Sequence, residues 1–348
     1  MRFLALVPII ATISAVSASV TLPKCSKALS VRKEWRDTTD AEKKAFIDAV
    51  KCLGNKPHSS NLQPSGATPG IPPMNATSSL YDDFVYTHQD VNVLTHFTGL
   101  FFAWHRWLLH TFETALKTEC GYNGTLPYWD WSRDTNTGIV QSPIFNSSAT
   151  HGLGTFGNSS TNYEVKDGAF ANVIRAYPNP HTVQRKFDPM PFRAPVFPLP
   201  FLYPNLSATD TFTPSVLEAI VSGSVGNYTD FAYKIDGVRA QGMHNAAHLM
   251  MGGDMSNPLV SPGDCLFYLH HGNLDCIWAR WQKRNIRNQY AIGGGETQDL
   301  PHYDDYPVGN SPKVTLLSNL PTTGLSRPVK VIDVIDTEND YLCYKCAY

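Results

Sequence analysis

Residues 265–283 read CLFYLHHGNLDCIWARWQK. At helical spacing Phe267, His271, Leu274, Trp278 and Trp281 share one face, so the run predicts a helix that buries that stripe. His271 lies on the stripe, while His270 shares another side with Leu266 and Ile277. An imidazole pointed inward among aromatics needs partners for its ring nitrogens. Two readings stand: a core histidine satisfied by a hydrogen bond, or a metal ligand on an inward-facing helix.

Outward from that run, other segments repeat the pattern. Residues 101–118 predict a helix with Phe101, His105, Leu108, Phe112 and Leu116 in register, closed by Gly121. Residues 80–90 place Tyr81, Phe84, Val85 and His88 on one face. In the predicted helix 240–251, His244 and His248 stand four apart, within reach of one metal if they are not simply two unrelated polar positions. The predicted fold is therefore mainly α: a four-helix bundle around a two-metal centre, with long irregular loops and a few short strands. Elsewhere, Thr39 to Glu42 form a capping box opening a helix over 39–53, and Gly54 ends it. Residues 55–79 read as loop. Residues 122–234 read as mostly irregular, with one short helix at 213–222. The proline-rich stretch 188–204 reads as a surface excursion or a wall of an entrance. A strand is expected at 329–335.

The 348 residues are 42% hydrophobic and 17% charged, with net charge -2. That suits one large domain over 19–348 and gives no electrostatic reason to expect nucleic acid or an anionic membrane as partner. Residues 1–18 read as a secretory signal: a charged start, an apolar run and a small-residue exit, too short to span a bilayer. The expected location is extracellular. Six glycosylation sequons agree, at Asn75, Asn123, Asn146, Asn158, Asn205 and Asn227. Seven cysteines in an oxidising compartment imply disulfides and an odd thiol. Cys25 with Cys343 or Cys346 would staple the chain ends, and Cys52 with Cys120 is a second expected pair.

The candidate ligands are neutral imidazoles without a companion carboxylate or thiolate at matching spacing. Non-heme iron sites recruit carboxylates and structural zinc recruits thiolates, so an all-histidine pair of sites leans to copper.

The segment His96-Phe-Thr-Gly-Leu-Phe101-Phe102-Ala-Trp104-His105-Arg106, continuing to Glu113, resembles the first copper signature of the tyrosinase and catechol oxidase family. Asp264-Cys-Leu-Phe267-Tyr-Leu-His270-His271-Gly-Asn-Leu-Asp275 resembles the second, and Leu126-Pro-Tyr-Trp-Asp-Trp131 is also similar to the family. The resemblance runs from about residue 30 to 345. It implies a dicopper centre, with His88, His96 and His105 on copper A and His244, His248 and His271 on copper B. His58, His110, His151, His181, His270 and His302 are left as non-ligands. It implies O2 and small phenols as substrates, oxidation of o-diphenols to o-quinones, and hydroxylation of monophenols in many members.

Departures from the family pattern sharpen this expectation. Cys265 and Cys276 stand where a proline and a basic residue are common, and Leu94, two before His96, removes the cysteine that forms a thioether in some members. No C-terminal shielding domain follows, so no proteolytic activation is expected. Asn245 follows the first copper B histidine, where an asparagine with a glutamate-held water is thought to help deprotonate monophenols. Gln241, three before His244, stands in place of that glutamate, and a neutral amide draws a proton less strongly. The expectation is catechol oxidation with weaker monophenol hydroxylation, with Gln241 and Asn245 in catalytic roles. Asp275 is read as orienting a ligand ring or as a salt bridge, Arg106 and Glu113 as structural, and Leu249, Met250 and Val260 as shaping the phenol pocket. The alternatives are a tailoring oxidase of aminophenols, methoxyphenols or tyrosyl groups, and a haemocyanin-like O2 carrier.

Overall fold

In the computed structural model, residues 22–194, 200–304 and 309–348 are described. The expected signal segment lies outside them. Nine α-helices occur among the described residues: α1 (Asp40–Leu53), α2 (Leu80–Asp90), α3 (Asn92–Thr95), α4 (Phe101–Cys120), α5 (Pro214–Ser222), α6 (Tyr228–Asp236), α7 (Met243–Met251), α8 (Leu266–Arg284) and α9 (Val331–Val334). Strands are short and pair two by two.

Local chemistry sets the helix ends. Thr39 and Glu42 cap α1 reciprocally, as do Ser79 and Asp82 at α2. Gly121 ends α4 at φ 66°, a left-handed conformation that returns its N–H to the last turn. The helices α2, α4, α7 and α8 surround the histidines. Below the histidines, Phe112 of α4 stacks on Tyr268 of α8 with ring centroids 3.6 Å apart, and Phe84 of α2 meets Phe112 edge-on at 5.2 Å. Burying a Phe side chain contributes about 2–3 kcal/mol, so this aromatic floor fixes the three helices against one another.

The chain ends close on this core. Ser30–Arg32 pairs in parallel with Tyr344–Cys346, in register Ser30 to Tyr344. Disulfides Cys25–Cys343 and Cys52–Cys120 join the expected partners. A third, Cys276–Cys346, ties α8 to the C-terminal strand, and Cys265 is a buried free thiol. Arg32, Arg106 and Tyr344 converge on Asp275, which answers the open question about that residue: it is the hub of a buried ion-pair network.

Three expectations need correction. The region 122–234 holds most of α6, a second helix whose Phe231 and Ile235 bury one face behind the Asn227 cap. Its flanking glycines and sequon masked the short amphipathic pattern. The predicted helix at 240–251 begins only at Met243, after a turn with Arg239 and Ala240 in left-handed backbone. The predicted strand at 329–335 is extended only over Val329–Lys330 and then turns into α9, because Asp333 caps the Lys330 N–H.

Candidate metal centre

The first three histidines come from α2, the residue closing α3, and α4. His88, His96 and His105 are at most 7% exposed, and their rings lie 4.7 to 5.7 Å apart, centroid to centroid. In each ring Nδ1 faces a main-chain carbonyl: Leu259 O at 3.3 Å, Asn92 O at 3.1 Å and Phe101 O at 2.8 Å. A carbonyl only accepts, so each Nδ1 carries the proton and each Nε2 keeps its lone pair. Nε2 of His88 and of His105 is buried without a partner.

The second group comes from α7 and α8. His248 Nδ1 donates to Met255 O at 2.7 Å, and His244 Nδ1 is 2.6 Å from the buried Asp236 carboxylate. His244 Nε2 is buried and unpartnered, and His248 Nε2 lies 3.1 Å from His271 Nε2. His271 stacks on His105 with centroids 4.3 Å apart, which brings the two groups into one centre.

His270 also lies beside His244, His248 and His271. Its bonding is reversed: Trp131 Nε1 donates to its Nδ1 at 3.1 Å. An indole nitrogen can only donate, so the neutral His270 ring carries its proton on Nε2 and has no lone pair there for a metal. Helical phase predicts His270 as the odd one out; the bond to Trp131 supplies the chemical reason.

Burial drives all seven rings toward neutrality. His96 falls to about 4 and His244 to about 3, and the others are held well below the usual imidazole range, chiefly by desolvation. The Nε2 lone pairs of His88, His105 and His244 are buried with no hydrogen-bond donor, and His248 Nε2 and His271 Nε2 face only each other, an arrangement that is costly unless cations complete it. The donor set fits two metal ions, one on His88, His96 and His105 and one on His244, His248 and His271.

Asp236 is the residue sequence reading missed. Its Oδ1 meets His244 Nδ1 and accepts from Asn245 Nδ2 at 3.1 Å, and burial raises its carboxyl to about 7. A close turn delivers it: Gly242 N–H donates to Asp236 O at 2.6 Å, where a Cβ on Gly242 would come within 2.4 Å of the Asp236 backbone.

Gln241 is occupied elsewhere. Its amide oxygen accepts from the Leu202 and Tyr203 N–H groups at 2.9 and 3.1 Å, and its Nε2 donates to Tyr203 O at 3.0 Å. The expected water-orienting role does not fit, because each end of the amide is bonded to this loop. The effect is to hold part of 188–204 as a wall: Phe201 lines a cavity of about 190 Å³ over the histidines, with Phe97, Leu249, Asn245 and Gln298. Leu249 is a pocket residue as expected; Met250 and Val260 are buried and do not line it.

Comparison with known proteins places these features in context. Residues 78–284 match the common central domain of tyrosinase. A tyrosinase of Aspergillus flavus is 30% identical, over 97% of this chain and 85% of that one. An N-acetyl-6-hydroxytryptophan oxidase of Emericella nidulans is 29% identical, over 97% of this chain and 99% of that one. Among solved structures, a polyphenol oxidase of Thermothelomyces thermophila superposes with a TM-score of 0.73 at 25% identity, covering 94% of this chain and 91% of that one.

Proposed function

The chain belongs to the tyrosinase family of oxidoreductases, and on that premise we propose that it oxidises o-diphenols to o-quinones with O2, at two copper ions. The observation that carries the reading is the paired set of neutral histidines, with the Nε2 lone pairs of His88, His105 and His244 buried and unpartnered. His88, His96 and His105 would hold copper A, and His244, His248 and His271 copper B. Two coppers cycling between Cu(I) and Cu(II) supply a two-electron couple, so no organic cofactor is needed.

The chain's own residues position the phenol. Phe97 and Phe201 line the same cavity as His96 and His244 and supply its aromatic surface. Asn245 lines it next to His244, with its N–H2 tied to Asp236. Its amide oxygen therefore remains to accept a phenolic O–H and hold that oxygen at the metal face. None of the described residues lining the cavity is a carboxylate. A monophenol thus meets no strong base there, which favours catechol oxidation over monophenol hydroxylation.

Six exposed sequon asparagines and three disulfides support an extracellular setting. No helix among the described residues is long and apolar enough to cross a membrane.

A second reading is a tailoring oxidase acting on an aminophenol or hydroxyindole. It is favoured by the relative whose name gives N-acetyl-6-hydroxytryptophan as substrate and which matches over nearly its whole length. Oxygen uptake by the copper-loaded protein separates the two on matched phenol, catechol, o-aminophenol and hydroxyindole substrates. Catechol turnover at least tenfold above the matched monophenol is expected. Turnover of the aminophenol or hydroxyindole alone would favour tailoring, and no uptake on any of them would overturn both.

A further inference from the structure

The cavity over the histidines has a chemistry of its own. Its apolar lining comes from Phe97, Phe201, Leu249, Met255, Pro258 and Leu300. At about 190 Å³ it has room for one substituted ring, well short of the roughly 300–1,000 Å³ that hold larger ligands. None of the described lining residues carries an ionised side chain. Ionisable groups on neighbouring segments are engaged with partners. Arg239 pairs with Asp304 at 2.8 Å, His302 meets Asp299 at 3.0 Å, and Asp236 is buried behind His244 and Asn245.

Three amides line the cavity. Asn92 Nδ2 donates to Pro258 O at 2.8 Å, and Gln298 Nε2 donates to His96 O at 3.2 Å. Asn245 Nδ2 is committed to Asp236. In each of the three amides at least one N–H is bonded to the protein, and no described group donates to the carbonyl oxygen. The cavity therefore offers three amide oxygens as acceptors in a largely apolar wall, beside the unpartnered Ser261 hydroxyl.

We infer that the pocket selects neutral, single-ring phenols whose ring substituent donates a hydrogen bond, such as an amide N–H, and discriminates against phenols bearing an ammonium or carboxylate. The inference rests on the phenol oxidase reading and adds the substrate class. An ionised substituent loses its water on entry and finds no counter-charge, whereas a neutral amide or hydroxyl finds an acceptor. The free amino acid form of a phenol carries both charges and is disfavoured.

Four catechols that differ only in the ring substituent provide the test: 4-methylcatechol, N-acetyldopamine, dopamine and dopa. Their kcat/KM values come from oxygen uptake by the copper-loaded protein, and their affinities from anaerobic calorimetric titration of the same protein. N-acetyldopamine should exceed dopamine and dopa at least tenfold in both measurements, and should exceed 4-methylcatechol. Leu300→Arg, at the half-buried lining, should raise kcat/KM for 3,4-dihydroxyphenylacetate relative to 4-methylcatechol at least fivefold. Dopa turned over as well as N-acetyldopamine would overturn the substrate class and leave the oxidase reading standing. No turnover of any of the four would overturn the oxidase reading; the titrations then decide the class, with the same ranking supporting it and equal affinities overturning it.

Discussion

At the scale of single residues, the centre is organised by which nitrogen of each imidazole holds the proton. Main-chain carbonyls fix four of the rings, Asp236 fixes His244, and Trp131 fixes His270 the opposite way. Outer partners of this kind typically tune metal affinity 10–100-fold. Asp236→Ala should therefore weaken copper at the His244 site by roughly 10–100-fold, while the His88 site keeps its affinity. Competition with a chelator, followed by copper counting, checks this. Loss of both coppers together would show that Asp236 supports the whole fold instead.

At the scale of elements, loops and helix interiors carry separate burdens. The strap at 200–204 is held by Gln241 through three hydrogen bonds and by Arg239 through Pro200 O. Gln241→Glu replaces the donor facing Tyr203 O with a carboxylate oxygen, so the strap should loosen. The expected result is a several-fold higher KM for catechol with kcat changed less, read from steady-state kinetics. A raised monophenolase-to-diphenolase ratio with unchanged KM would restore a catalytic role for residue 241. In α2, Asp83 accepts the Ser59 N–H at 2.7 Å, yet burial pushes its carboxyl up to about 7. The folded protein then binds more protons than the unfolded chain between about pH 4 and 7, so this group's contribution declines as pH rises through that window. Asp83→Asn keeps an acceptor for Ser59 and should stabilise at pH 8 by on the order of 1–3 kcal/mol, a gain that disappears below about pH 4. Urea unfolding at both pH values tests it.

At the scale of the whole molecule, the segments at 30–32 and 344–346 are stitched to two of the helices that carry the clustered histidines. Arg106 of α4 and Asp275 of α8 meet Arg32 and Tyr344 from the paired terminal strands, and Cys276–Cys346 crosses the same boundary. That disulfide closes a loop with a sequence separation of 70, for which chain entropy predicts about 4 kcal/mol of stabilisation. The double variant Cys276→Ala and Cys346→Ala should lower the unfolding free energy by roughly 2–5 kcal/mol. Equilibrium denaturation gives the value, and a change under about 0.5 kcal/mol would mean the strand pair and the Arg–Asp network hold the end alone.

Sequence alone determined where helices form when their apolar stripes and caps are local and periodic: the capping box at Thr39, the stripe of Phe101 to Leu116, and the face shared by His271 and Trp278 all formed as read. What only the tertiary structure decided depends on residues distant in the chain. Asp236 reaches His244 because Gly242 lets the chain turn tightly between α6 and α7, Trp131 reaches His270 across 139 positions, and Gln241 bonds to a strap 38 residues away. Periodicity records which face of an element is buried, and hydrogen bonds between elements leave no period to read.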